Sequence, residues 1–365
     1  MVILAACKDP GGVNGIIPVI EELRRRGKKV NIIAEGKAID ILSRMGWEFF
    51  TFQNPGEILH RFSFETPEAF ITSICNGPML SRDLLSCFRG KCPTFALSDT
   101  WGDVAVPYWR GLTSDNQPDY LCANDDTDVR VAIGSWPGFS KDRVICAGWP
   151  AFDKYANYDT EKVSAKVKAI LNLDSNRPIV VMSASVINAG DLCEATVLAL
   201  NEVRENVYFI PLQHPRMEKD GESEQKEKWD KSLASFSGGA IININRDNEF
   251  LRSTTNILAI ADLVVSISST VLIESAALRK PTISIFYPNL AKAYGELTGF
   301  LEFPLVSLGC SAKALCHDEL VSTIQKVISG RKEDDPLGLK KVQEKYFHLD
   351  GKNTARIVDF VLSII

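Results

Sequence analysis

The side chains able to do chemistry gather in a few short segments, each directly after an apolar run. Ser266-Ile267-Ser268-Ser269-Thr270 lies between LVVS and VLIESAAL. Hydroxyls of Ser268, Ser269 and Thr270 can cap the following helix and donate to phosphate oxygens at its positive end. Glu274 comes four residues after Thr270, on the same helix face, where a carboxylate can accept two hydrogen bonds from ribose hydroxyls. Ser183-Ala184-Ser185 follows IVVM and offers Ser183 and Ser185 as a second phosphate-facing loop. His214-Pro215-Arg216 closes YFIPLQ, so His214 and Arg216 can place positive charge beside the oxygens of a leaving diphosphate. The plainer alternatives are a simple helix cap, a surface glutamate and a structural histidine.

Two further turns carry carboxylates. Lys8-Asp9-Pro10-Gly11-Gly12-Val13-Asn14 follows VILAAC. Gly11 and Gly12 let a backbone approach a ligand closely, and the helix start near Asn14 offers unpaired N–H groups. The segment is neither GxGxxG nor a GK[ST] loop, which weakens P-loop and dehydrogenase readings; a tight turn alone would explain it. Ser98-Asp99-Thr100-Trp101 follows TFAL, and Asp99 is a candidate base for an acceptor hydroxyl, with Asp9 competing for the role. Asp is also a common turn and cap residue. Trp101, Trp109, Trp136 and Trp149 could stack on a sugar or simply fill a core.

The elements that must position these turns alternate strand and helix. Val2–Cys7 reads as a buried parallel strand, and a helix near 15–26 stops at Gly27. Strands are expected at 30–34, 48–52, 69–75, 94–98, 120–123 and 144–147. A polar, mostly helical stretch at 157–176 precedes the strong strand 179–182, where a second series begins. It runs through strands at 207–212, 240–244, 263–266 and 282–286, with helices near 192–201, 226–234, 256–260, 269–278 and 318–328. This alternation predicts βαβ units and open, doubly wound sheets, whose ligands sit at the carboxyl ends of the strands. The expected division is 1–157, 158–345 and a closing helix at 346–365.

Bulk composition narrows the class. The chain has 365 residues, comfortable for two domains at roughly 100–200 residues each. With 45% hydrophobic and 24% charged residues it is ordinary globular material. The net charge of -5, from 41 basic and 46 acidic residues, argues against a nucleic-acid binder. No apolar run approaches the ~20 residues of a membrane span, and MVILAACKDP is interrupted too soon for a signal peptide. Nine scattered cysteines without a CxxC pair predict reduced thiols in a cytoplasmic protein, with neither zinc nor a disulfide framework.

ADLVVSISSTVLIESAALRKPTISIF at 261–286 resembles the C-terminal nucleotide-binding segment of GT-B glycosyltransferases and their relatives, including UDP-N-acetylglucosamine 2-epimerases and CDP-glycerol-type polymerases. VICAGWPAFDKY at 144–155 resembles their G-x-P-x-x-D passage, LQHPRM their strand-end His-Pro element, and LDGKNTARIVDFVLSII their closing helix. The resemblance implies two Rossmann-like doubly wound α/β domains facing across a cleft, with the last helix crossing back to the first. It places the donor base against the 245–251 loop beside Arg246, the ribose on Glu274, and the diphosphate on Ser268, Ser269, Thr270 and His214. The acceptor would face Gly11, Gly12, Asn14 and Asp99. The epimerases' VEAGLR-like segment has no counterpart, although LSDTW faintly echoes their GDT.

The expected activity is therefore transfer of a sugar or related group from a nucleotide-activated donor to an acceptor hydroxyl. Asp99 or Asp9 would take the proton, and His214 and Arg216 would steady the leaving group, without metal or other cofactor. The acceptor would be a small molecule, a lipid-linked molecule or a saccharide, and a homodimer is compatible with the sequence. The alternatives are a nucleotide-sugar 2-epimerase or hydrolase and a non-catalytic nucleotide-sugar-binding protein.

Overall fold

The computed structural model describes residues 2–365 except 63–65, 76–78, 102–103, 105–108, 110–111, 175, 186–187, 215–216, 218–222, 331–334 and 348. The chain divides into two compact units, Met1–Ala156 with Leu349–Ile365, and Asn157–His348. The carboxyl-terminal segment thus belongs to the first unit, and the polar helical stretch after Ala156 to the second.

Unit 1 is built from β1 (Val2–Cys7), α1 (Pro10–Arg25), β2 (Lys29–Ala34), α2 (Lys37–Arg44), α3 (Pro55–Arg61), β3 (Ala69–Ser73), α4 (Leu80–Phe88), β4 (Thr94–Leu97), β5 (Tyr120–Ala123), α5 (Asp126–Ser135) and β6 (Val144–Cys146). Its six strands are all parallel in the order β2-β1-β3-β4-β5-β6. β1 is apolar throughout because both its faces are covered. One face packs on Ile16, Ile20 and Leu23 of α1, Leu42 of α2, and Ile357, Val358 and Val361 near the carboxyl terminus. The other carries Ile58, Leu84, Leu85, Phe88, Trp109 and Trp136.

Unit 2 comprises α6 (Thr160–Leu171), β7 (Ile179–Ser183), α7 (Ala189–Glu202), β8 (Val207–Leu212), α8 (Ser223–Ala234), β9 (Gly239–Ile241), α9 (Glu249–Arg252), α10 (Thr254–Ile260), β10 (Leu263–Ser266) and α11 (Thr270–Ala277). It continues through β11 (Thr282–Ile285), α12 (Pro288–Thr298), α13 (Pro304–Ser307), β12 (Ala312–Ala314), α14 (His317–Ser329) and α15 (Lys340–Tyr346). Its sheet is parallel in the order β12-β11-β10-β7-β8-β9. The last helix, α16 (Asn353–Ile364), returns to unit 1.

In both sheets the strand order reverses beside the unit's first strand, between β1 and β3 and between β7 and β10. Such a switch point leaves a crevice at the strands' carboxyl ends, because the flanking helices depart to opposite faces. Several expected strands end a residue or two early, and two are cut back furthest. The 48–52 segment makes only a single bridge, Phe50 to Ile33, and its aromatics pack on one another and on Phe62 instead of extending the sheet. The 240–244 strand is reduced to Gly239–Ile241, at a sheet edge where only β8 supplies a partner.

Candidate functional site

At the switch point of unit 2 the structure assembles most of the predicted phosphate-facing residues. β10, β7 and β8 are neighbours, so Ser266–Thr270, Ser183–Ser185 and His214 emerge along one edge. Ser266 is fully buried and donates to the Ser183 carbonyl at 2.7 Å, tying the two turns together. Ser284 donates to the Ile267 carbonyl from the other side. Ser269 is the N-cap of α11, its hydroxyl accepting from Val271 N at 3.2 Å. Ser268 and Ser269 are half-buried and Thr270 is exposed, so these hydroxyls remain at the surface of the edge. Ser183 and Ser185 are buried, and His214 is half-buried.

Glu274 sits one turn into α11 but turns toward α10, where Thr255 Oγ1 donates to its Oε2 at 3.0 Å. Tyr158 donates to Asn256 Oδ1 at 2.9 Å and is pushed up to about 12 by burial and by the nearby Glu274 carboxylate. Sequence reasoning missed this support, which joins residues almost a hundred positions apart. Arg246 is spent on its own loop, donating to the carbonyls of Arg252 at 3.0 Å and Leu251 at 3.3 Å. Burial pushes its guanidinium below the usual range. The structure gives it the job of shaping the 245–251 segment. Arg216 lies outside the described residues.

The edge of unit 1 is acidic. Asp9 is the N-cap of α1, its Oδ1 accepting from Gly12 N at 2.8 Å. Asp99, at the end of β4, lies directly over Gly11: a Cβ at that glycine would fall 1.9 Å from Asp99 Oδ2. A Cβ at Gly12 would fall 2.3 Å from Ser73 Oγ. The paired glycines therefore let the first turn of α1 close onto the ends of β3 and β4. What approaches their backbone is protein. Asn14 is exposed on the same helix.

Two further carboxylates, absent from the sequence reading, complete this edge. Asp125 caps α5 through Thr127 N at 2.8 Å and Asp128 N at 3.0 Å, and accepts from Trp101 Nε1 at 2.6 Å. Asp128 is fully buried and accepts from Asn124 N at 3.1 Å. Burial, then the charge of Asp9 and of Asp128, lifts Asp99 to about 8. Burial and Asp125 lift Asp128 to about 7, and burial also raises Asp9 and Asp125. The signal available in sequence was Asn124-Asp125-Asp126-Thr127-Asp128 directly after the strand YLCA. Trp101, Trp109 and Trp136 are buried, and half-buried Trp149 packs edge-on against Trp101, so these rings build core. Among the described residues no group of three His, Cys, Asp or Glu side chains is placed to hold a metal ion, and no disulfide joins any of the nine cysteines. No described helix is long and apolar enough to cross a membrane.

The two parallel six-stranded sheets with helices on both faces are Rossmann-like units, and the protein has the two-domain α/β fold of the GT-B class. The solved structure of UDP-GlcNAc 2-epimerase from Neisseria meningitidis, bound to UDP-GlcNAc, matches with a TM-score of 0.66 at 13% identity, covering 100% of both chains. A glycosyltransferase from Rickettsia africae matches with a TM-score of 0.66 at 14% identity, covering 100% of this chain and 98% of the other. The wall teichoic acid polymerase TagF, soaked with CDPG, matches with a TM-score of 0.59 at 14% identity over 99% and 88% of the two chains. No curated protein matches in sequence. Residues 109–363 match the family described as CDP-Glycerol:Poly(glycerophosphate) glycerophosphotransferase. The chain belongs to that family and is a transferase-class enzyme.

Proposed function

We propose that this enzyme transfers a sugar, or a related group such as a polyol phosphate, from a nucleotide-activated donor to the hydroxyl of an acceptor. The observation that carries this is the unit 2 switch point, where Ser183, Ser185, His214, Ser268, Ser269 and Thr270 converge on one strand edge at the start of α11. Oriented N–H groups and hydroxyls there suit phosphate oxygens, and His214 can add charge to the leaving group. Glu274, held by Thr255, suits the ribose. The helix dipole and the imidazole can together stabilise the leaving phosphate, so the reading requires no metal or other cofactor. The acceptor hydroxyl would lose its proton to Asp99 or Asp9, since a carboxylate with a raised pKa is a stronger base. The acceptor would be a small molecule, a lipid-linked molecule or a saccharide.

The test is a thermal-shift panel of CDP-glycerol, CDP, UDP-GlcNAc, UDP and GDP-linked donors. A ligand at a hundred times its Kd stabilises by about 2.7 kcal/mol, which a melting curve resolves. Stabilisation by one nucleotide class, abolished in Glu274→Ala and in His214→Ala, is the expected result. If both substitutions leave the shift unchanged, the assignment of the donor site fails. Product NMR then separates transfer, which needs an acceptor, from epimerisation, which does not.

A further inference from the structure

Glu274 is held by a helix that carries none of the strand-end turns. Thr255, in the first turn of α10, is buried, and its Oγ1 donates to Glu274 Oε2 at 3.0 Å. α10 ends at Ile260, shortly before β10 begins at Leu263. The helix rises about 10 Å and the strand about 13 Å, so the first turn of α10 stands near the level of the strand's carboxyl end. A helical threonine can turn its hydroxyl to a carbonyl three or four residues back along the chain. Here the hydroxyl goes instead to a carboxylate nineteen positions away.

The same turn is pinned from the neighbouring residue. Tyr158 donates to Asn256 Oδ1 at 2.9 Å, and Asn256 Nδ2 donates to the Phe250 carbonyl at 2.9 Å. These bonds join the segment before α6, the helix α9 and the start of α10. Burial, and then the Glu274 carboxylate, push the Tyr158 hydroxyl up to about 12, so it stays a donor at neutral pH. Tyr158, Thr255, Asn256 and Glu274 all belong to unit 2. A carboxylate has about four acceptor positions, and a stiff β-branched donor on one of them sets the direction of the rest. A glutamate already held in one rotamer loses less freedom when a ligand hydroxyl arrives than one that swings freely.

We propose that Thr255 is a positioning residue of the donor site: it sets the Glu274 carboxylate for the 2′ hydroxyl of the nucleotide and makes the site selective for ribonucleotide over deoxyribonucleotide donors. The inference rests on the ribose reading above, and adds the residue that aims the carboxylate and the class of nucleotide accepted. A 2′-deoxy ligand forfeits one hydrogen bond to a charged group, roughly ten- to a hundredfold in affinity. Thr255 itself meets neither base nor phosphate in this arrangement. Losing its hydroxyl should therefore weaken a ribonucleotide and spare the deoxy form.

The experiment is titration calorimetry of the full chain with CDP, UDP and GDP, each against its 2′-deoxy counterpart. For the base that binds, the wild type should prefer the ribonucleotide by about ten- to a hundredfold. Thr255→Val keeps the side-chain shape without the hydroxyl; the preference should fall about three- to tenfold, with the deoxynucleotide affinity unchanged. Thr255→Ser should restore the preference. If Thr255→Val does not fold, Thr255→Ala carries the same expectation. A hydroxyl-free variant that weakens both members of a pair equally has lost structure only, which overturns the inference. So does an unchanged preference in that variant beside a lost preference in Glu274→Ala, and this outcome leaves Glu274 on the ribose. No preference in the wild type, with Glu274→Ala binding both nucleotides equally well, sinks the ribose reading itself and the inference with it. Binding of none of the six refutes the donor site and whatever rests on it.

Discussion

Removing one carboxylate, Asp153, should loosen the carboxyl-terminal helix from unit 1 by a calculable amount. Asp153 accepts from Asn353 N at 2.9 Å and from Thr354 N at 2.8 Å, so it supplies both partners for the opening N–H groups of α16. Those groups have no acceptor within the helix. Hydrogen bonds to a charged group contribute about 1.5–3 kcal/mol each and an N-cap deletion typically costs about 0.5–2, so Asp153→Ala should cost about 2–4 kcal/mol. Ile357, Val358 and Val361 are buried against α1 and its neighbours, and each such side chain contributes about 1.5–3 kcal/mol. The apolar term exceeds the cap, so the helix should stay docked while its first turn frays. The assay is urea denaturation together with hydrogen exchange of the amides of 353–357. Asp159 is the control, since it caps α6 through a single exposed contact to Lys162 N at 2.9 Å. If Asp153→Ala costs no more than Asp159→Ala, or exchange in the first turn is unchanged, the argument is wrong.

Two other substitutions bear on the switch points. Gly11→Ala would drive a methyl into the Asp99 carboxyl, 1.9 Å from Oδ2, and should lower stability by about 1–3 kcal/mol; combining it with Asp99→Ala should recover most of that in denaturant melts. Ser269→Ala removes the acceptor for Val271 N, costing about 1 kcal/mol in thermal melts and weakening nucleotide binding measured by calorimetry. Loss of stability with unaltered nucleotide affinity would show that the hydroxyl only caps.

What could be read in the sequence was whatever sits within one element and its next turn. β1 is apolar from end to end and β7 is apolar up to Met182, so burial on both faces was plain, and each strand-to-helix turn was visible as a change of residue type. Pairings across the fold were not. GWPAFD and the closing helix each stood out as a segment, but that Asp153 caps Asn353, two hundred positions away, follows only from packing. Gly148 belongs to the same junction: it has φ +87, and a Cβ there would lie 2.2 Å from Asn353 Oδ1. Gly11 and Gly12 announced a close approach without saying what approaches. Asp125 and Asp128 went unread because their significance is cumulative, and burial beside Asp99 does not show in local spacing.

The net charge of -5 also concealed a division between the two edges. At the unit 1 switch point Asp9, Asp99, Asp125 and Asp128 crowd together, and Lys8 is the one cation among the groups acting on Asp9. A phosphate about 4 Å from a single ionised carboxylate, at an effective dielectric of about 20, is repelled by about 4 kcal/mol per unit of charge. That is about a thousandfold in affinity. The unit 2 edge sets serine and threonine hydroxyls, a helix N-terminus and an imidazole against the same ligand, with Glu274 turned to Thr255. The sign of the local field therefore favours phosphate oxygens at the unit 2 edge and neutral groups at the unit 1 edge. A ligand presenting an anionic group there would need to offset the carboxylates, a cost that a neutral alcohol does not meet.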